Sequence, residues 1–281
     1  MKGKLNGKAV RTAEIGGFGG GVIFLSFFLL LSLSQGEARI PPATIFEALT
    51  APEDVLEHHL IWGMRIPRTL MAGLAGAALA VSGALLQTVT RNPLASAGTF
   101  GINAGAYFLV VLGTVYFPGI VSAAPLPLAL LGGAAGAALS YVLAGGRRST
   151  PVRMALAGMI ITMVLSSITG ALQLLYENET NGLFLWGAGS LVQNDWSGVD
   201  FALPWITLCI AAVVLASRRL DLLELNEETA MGLGQRVQTT RMAALALAVL
   251  MAAVTVSVVG PIGFVGLIAP HLVKLSGLRR H

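Results

Sequence analysis

Long apolar runs separated by short polar stretches dominate the chain. About 20 apolar residues cross the hydrocarbon core of a bilayer. Runs of that length predict spans at 15–34, 69–88, 97–117, 126–144, 154–175, 199–216 and 242–259, and a shorter apolar piece at 262–275 closes the chain. A β-barrel would instead alternate polar and apolar positions in segments of about ten residues. The expected fold is therefore all-α, a polytopic transmembrane helix bundle. Pairs of small residues four apart (Ala72/Gly76, Gly101/Gly105, Gly132/Gly136) fit it, because small residues let membrane helices approach closely.

Three polar stretches are too long for simple turns. Gln35–Pro67 carries Pro41-Pro42, several acids and the pair His58-His59. Adjacent positions do not share a helix face, so these histidines read as solvated loop residues and not as metal ligands. Tyr176–Trp196 holds Trp186 and Trp196, which read as interface anchors, with the lining of a substrate path as the other reading. Ser217–Arg241 predicts a helix starting near Asn226, with Glu227 and Glu228 in its first turn, ending by Gly232 or Gly234. A second short helix then leads to Arg241. Paired surface helices of this kind suit docking of another protein.

Composition sharpens the picture. The chain is 55% hydrophobic and only 11% charged, with a mean hydropathy of +0.76, whereas soluble domains carry about 25% charged residues. With the N-terminus in the cytoplasm, 15 of the 18 basic residues fall on cytoplasmic segments, and only Arg39, Arg65 and Arg68 lie outside. That is the positive-inside pattern. It accounts for the net charge of +4 without a nucleic-acid surface. The first run follows Lys2, Lys4, Lys8 and Arg11, like the start of a signal peptide. Its length of about 20 residues favours a retained first helix over a cleaved signal.

The chemistry is that of a passive component. No phosphate-binding G-x-x-x-x-G-K-[ST] loop, HExxH pair or GxSxG elbow occurs. Cys209 is alone in an apolar run and reads as a core residue. No cofactor or metal site is expected. Ion-coupled carriers commonly hold ionisable groups inside the membrane, and the apolar runs here hold essentially none. A secondary transporter or channel is the alternative reading, and a membrane enzyme would need a cluster that His58, His59, His271 and His281 do not form. His271, beside Pro270, reads as structural.

The stretch RIPRTLMAGLAGAALAVSGALLQTVTRNPLASAGTFGINAGA (Arg65–Ala106) resembles the FecCD/BtuC-type permeases, membrane subunits of ABC importers for iron–siderophores, haem and cobalamin. LFLWGAGSL (Leu183–Leu191), LDLLELNEETAMGLGQRVQTTR (Leu220–Arg241) and GPIGFVGLIAPHLVKLSGL (Gly260–Leu278) are similar to further family elements, in family order. The resemblance implies a single permease domain over 1–281 of the ABC importer type II permease fold, in the inner (cytoplasmic) membrane. About eight of the usual ten spans are present, as in a C-terminally shortened member. It implies a permease homodimer, or a heterodimer with a paralogue, with cytoplasmic ABC ATPase subunits below and a substrate-binding protein above. Within the cytoplasmic segment 217–241, Leu225, Glu227, Glu228, Ala230, Gly232, Leu233 and Gly234 would couple to the ATPase. Arg65 and Arg68 would pair with glutamates of the binding protein.

Overall fold

The computed structural model describes residues 7–36, 40–146, 149–192, 194–224, 227–232 and 235–275, and no strand occurs among them. The helices are α1 (Gly7–Ser34), α2 (Pro42–Thr50), α3 (Leu56–Leu60), α4 (Ile66–Thr90), α5 (Ile102–Tyr116), α6 (Pro118–Ala123), α7 (Pro125–Leu143), α8 (Pro151–Leu175), α9 (Glu177–Thr180), α10 (Leu183–Gly187), α11 (Trp196–Asp221), α12 (Glu227–Gly232), α13 (Val237–Val259) and α14 (Val265–Leu275). Among the described residues, five helical stretches are long and apolar enough to cross a membrane: Leu56–Thr90, Pro125–Leu143, Val152–Leu175, Trp196–Asp221 and Val237–Val259. We call the end carrying Arg65 upper and the end carrying Arg91 lower.

α4 and α13 form the centre, and Met71, Ala78, Leu86, Ala248, Met251 and Ala252 are sealed between them and their neighbours. The Ser82 hydroxyl donates to the Ala248 carbonyl (2.7 Å), which fixes the level at which the two helices cross. The outer face of α8 stays apolar and exposed at Leu156, Ile160, Met163 and Val164. A core facing a core and an apolar face turned outward is the arrangement that lipid demands.

Glycine sets the tightest contact. A Cβ on Gly105 would overlap the Gly132 carbonyl, and one on Gly136 would overlap the Gly101 carbonyl. The two small-residue pairs thus face each other across α5 and α7. Gly76, by contrast, has nothing within 4 Å of where its Cβ would stand.

Several boundaries differ from the sequence expectation. The span expected at 97–117 begins only at Ile102. Gly98–Phe100 forms a 3-10 turn and Gly101 adopts φ 75°, a turn held by the Ser140 hydroxyl on the Phe100 carbonyl (3.0 Å) and the Thr162 hydroxyl on the Gly98 carbonyl (3.1 Å). The helix expected from 69 starts at Leu56 and runs through a π-helical turn at Ile61–Arg65. The second short helix expected before Arg241 is the first turn of α13. The piece expected at 262–275 is helical only from Val265.

Candidate functional site

The upper end is built from a hydrogen-bonded platform. In the π-turn the Ile66 N–H reaches back to the Ile61 carbonyl, and the wider turn frees a carbonyl that an α-helix would use. The Trp196 indole N–H donates to that freed group on Trp62 (2.8 Å). The Trp62 indole N–H in turn donates to the Ala48 carbonyl (2.9 Å), near the end of α2. Two tryptophans thereby join α2, the π-turn and the start of α11. Beneath them Ile40, Ile45, Ala48 and Ile61 form a small core of their own. Trp196 serves this framework, and Trp186 packs its ring against Tyr107 at 5.8 Å between centroids.

Arg65 and Arg68 both lie at this end, half-buried. The Arg65 Nη1 donates to the Leu33 carbonyl (2.6 Å), one of the carbonyls left open at the end of α1. Arg68 differs: its Nε is sealed from solvent and meets no acceptor among the described residues. A buried unpaired donor is costly, and Arg68 Nε is one of the few buried side-chain atoms here in that state. Beside the platform, a cleft of about 440 Å³ opens between Pro125 and Leu126 on one wall and Asn194, Asp195, Ser197 and Phe201 on the other. The Asp195 side chain accepts the Gly198 N–H and caps α11. The Ser197 hydroxyl, together with these backbone N–H groups, holds its carboxyl below the usual carboxylate range.

His58 corrects the sequence expectation. It is buried, and its Nδ1 accepts the Glu53 N–H (2.9 Å). His59 remains exposed and pairs with Asp54 at 2.6 Å. No group of three potential metal ligands gathers among the described residues.

At the lower end α11 runs to Asp221, turns through the 3-10 segment Leu222–Glu224 and continues into α12. Glu227, Glu228, Ala230 and Gly232 lie on α12, while Leu225, Leu233 and Gly234 lie outside the described residues. Ala230 is buried. Gly232 is exposed, with nothing within 4 Å of where its Cβ would stand. Gln235 ties the element down, its N–H on the Ala230 carbonyl (3.1 Å) and its Nε2 on the Arg219 carbonyl (2.7 Å). Arg91 ends α4 in the left-handed conformation at φ 49°. From there its guanidinium reaches the Leu223 carbonyl (3.4 Å). The sequence reading missed Arg91 as an anchor of this element. Its place just after an apolar run and before Asn92-Pro93 was the available signal.

Carboxylates and basic chains are kept out of the interior among the described residues. Among the described residues every buried polar side chain is neutral or a histidine, and no carboxylate, lysine or arginine is buried. Among the described residues the bundle has polar surfaces at both ends and no charged relay between them.

Comparison with known proteins agrees with this geometry. The model of the FecCD transport family matches residues 24–281. The chain is 38% identical over 253 residues to the Fe(3+)-citrate import system permease protein YfmD of Bacillus subtilis, covering 90% of this chain and 75% of that one. It is 36% identical over 256 residues to the ferric enterobactin transport system permease protein FepD of Escherichia coli, covering 90% and 76%. Among solved structures it is similar to an inward-facing ABC transporter of metal-chelate type. The TM-score is 0.78 at 27% identity, over 93% of this chain and 82% of that one. A helical membrane bundle with this fold, matched from Phe24 to its end, is a permease subunit that belongs to the FecCD transport family.

Proposed function

We propose that this chain is the membrane path of an ATP-driven importer for an iron–siderophore, haem or cobalamin-like metal chelate, which it receives from an external binding protein. The family match over residues 24–281, with iron-chelate permeases at more than a third identity, carries this reading. On it, the whole chain acts as one permease domain, with the N-terminus and the lower end cytoplasmic. Two permease subunits, identical or paralogous, enclose the path. ATPase subunits dock at α12, where exposed Gly232 leaves room for a partner. The binding protein docks at the upper platform through Arg65 and Arg68, which both lie half-buried at that end. A permease without an interior charged relay takes its energy from outside the bilayer, which suits ATP hydrolysis in a separate subunit.

Reconstitution tests it. The tagged permease, with an ABC ATPase and a binding protein encoded beside it, should retain the ATPase and import labelled ferric citrate or another iron chelate only with ATP. Gly232→Arg should release the ATPase while the permease still inserts. Uptake that follows an ion gradient and ignores ATP would make the chain a secondary carrier or channel.

A further inference from the structure

Between α13 and α14 the chain does something unusual for a membrane protein. Ser82 and Ala248 share one level, and α13 rises from Ala248 to Val259 by roughly 16 Å at the helical rise. Gly266, near the start of α14, packs against Gly83 so closely that a Cβ on Gly83 would overlap its carbonyl. The chain therefore returns from the top of α13 to the level of Ser82 through Gly260–Phe264 without a helix. Non-helical backbone makes that descent, and it turns tightly at Phe264, where the Val265 N–H donates to the Gly263 carbonyl (2.8 Å). Its lower part lies beside the middle of α4, roughly 12 Å above the end of that helix at Thr90, well inside a hydrocarbon core about 30 Å thick.

The upper part of the descent is satisfied: the Ser190 N–H donates to the Val259 carbonyl (2.8 Å), and Gly189 packs on Pro261. Lower down, the N–H groups of Ile262, Gly263 and Phe264 find no acceptor among the described residues. Gly263 and Phe264 are exposed, and Phe264 is held at φ 66°. Lipid cannot lie against such a backbone, because hydrocarbon offers no acceptor. Next to it Gln87, only 5% exposed, donates Nε2 to the Gly266 and Leu267 carbonyls (3.4 Å each). Its Oε1 is left without a donor. Buried polar atoms of this kind are normally completed by water.

We propose that Ile262–Phe264 lines a water-filled cavity on the transport path. There the N–H groups that find no acceptor among the described residues form a mid-membrane binding site for the carboxylate or carbonyl oxygens of a passing metal chelate. Broken helices that present backbone groups to a solute recur in membrane transporters. The binding half of this proposal rests on the chelate-import reading, while the cavity stands on backbone chemistry alone.

The test uses the full chain with Cys209→Ser in membranes opened to both faces. Gly263→Cys and, separately, Phe264→Cys should react with a charged, membrane-impermeant thiol reagent, whereas Leu156→Cys on the apolar face of α8 should not. In membranes with verified ATP-dependent uptake of ferric citrate, that compound should slow the reaction severalfold. Reaction of both variants with an apolar maleimide but not with the charged reagent would show that lipid or another protein covers the stretch, and would overturn the cavity. Reaction with the charged reagent that ferric citrate leaves unchanged, in importing membranes, would overturn the binding site. If no chelate is imported, the function reading falls, and the charged reagent alone decides the cavity.

Discussion

Arg65 and Arg68 carry the same charge three positions apart, yet their surroundings differ. Arg65 spends a guanidinium bond on the end of α1, at the Leu33 carbonyl. Arg68 keeps its Nε enclosed and unpaired. Arg68→Glu should therefore weaken binding-protein affinity, on the order of 2–5 kcal/mol if the charge pair is desolvated on docking. Arg65→Glu should act first on stability, losing a charged hydrogen bond that contributes roughly 1.5–3 kcal/mol. Affinity and thermal unfolding of both variants in nanodiscs separate the two roles, and equal affinity for Arg68→Glu and the parent would leave Arg68 as a lipid anchor. The sequence placed both arginines at the mouth of a span. It could not divide them, because the division depends on a carbonyl from another helix. His58 makes the same point. Its neighbour His59 is exposed as a loop histidine should be, but His58 is turned inward by a backbone N–H that no pattern announces.

For the helices, what could be read from the chain was the existence of apolar runs and their small-residue pairs, and what could not be read was which pairs meet. Gly76 and Gly105 each belong to an i, i+4 pair of the same kind. A Cβ on Gly105 would meet the backbone of α7, and one on Gly76 would meet nothing within 4 Å. Gly105→Ala should then force α5 and α7 apart at a cost of about 1–3 kcal/mol. Gly76→Ala should be neutral or stabilising by up to roughly 1 kcal/mol through helix propensity. Detergent-induced unfolding of the two variants, followed by circular dichroism, checks the difference, and equal effects would refute the assigned contact. Helix ends were the less legible part. Positive φ at Gly101 and Phe264, and the π-turn at Ile61–Arg65, leave apolar composition unchanged. Hence the late start of α5, the non-helical Gly260–Phe264 and the early start of the α4 stretch escaped a hydropathy reading.

At the scale of the molecule, the distribution of charge makes the orientation testable. Thr150 lies exposed just before α8, beside the basic residues at 147, 148 and 153. With Cys209 replaced, a cysteine introduced for Thr150 should react with an impermeant thiol reagent only from the cytoplasmic side. One introduced for Leu56, at the opposite end, should react only from outside. Reversal of either result would invert the topology. The two ends differ in another respect, which the π-turn makes plain. A helix that holds one residue more than its period admits has its phase shifted by roughly 100° at that point. Everything above Ile61 is therefore set at an angle to everything below Arg65. Insertions and deletions in loops are absorbed locally, but a single-residue change within Ile61–Arg65 would swing α3 and α2 about the axis of α4. It would also carry the Trp62 carbonyl away from Trp196. The attitude of the outer face is thus written in the chain as a count of residues, and such a count can drift only in whole steps.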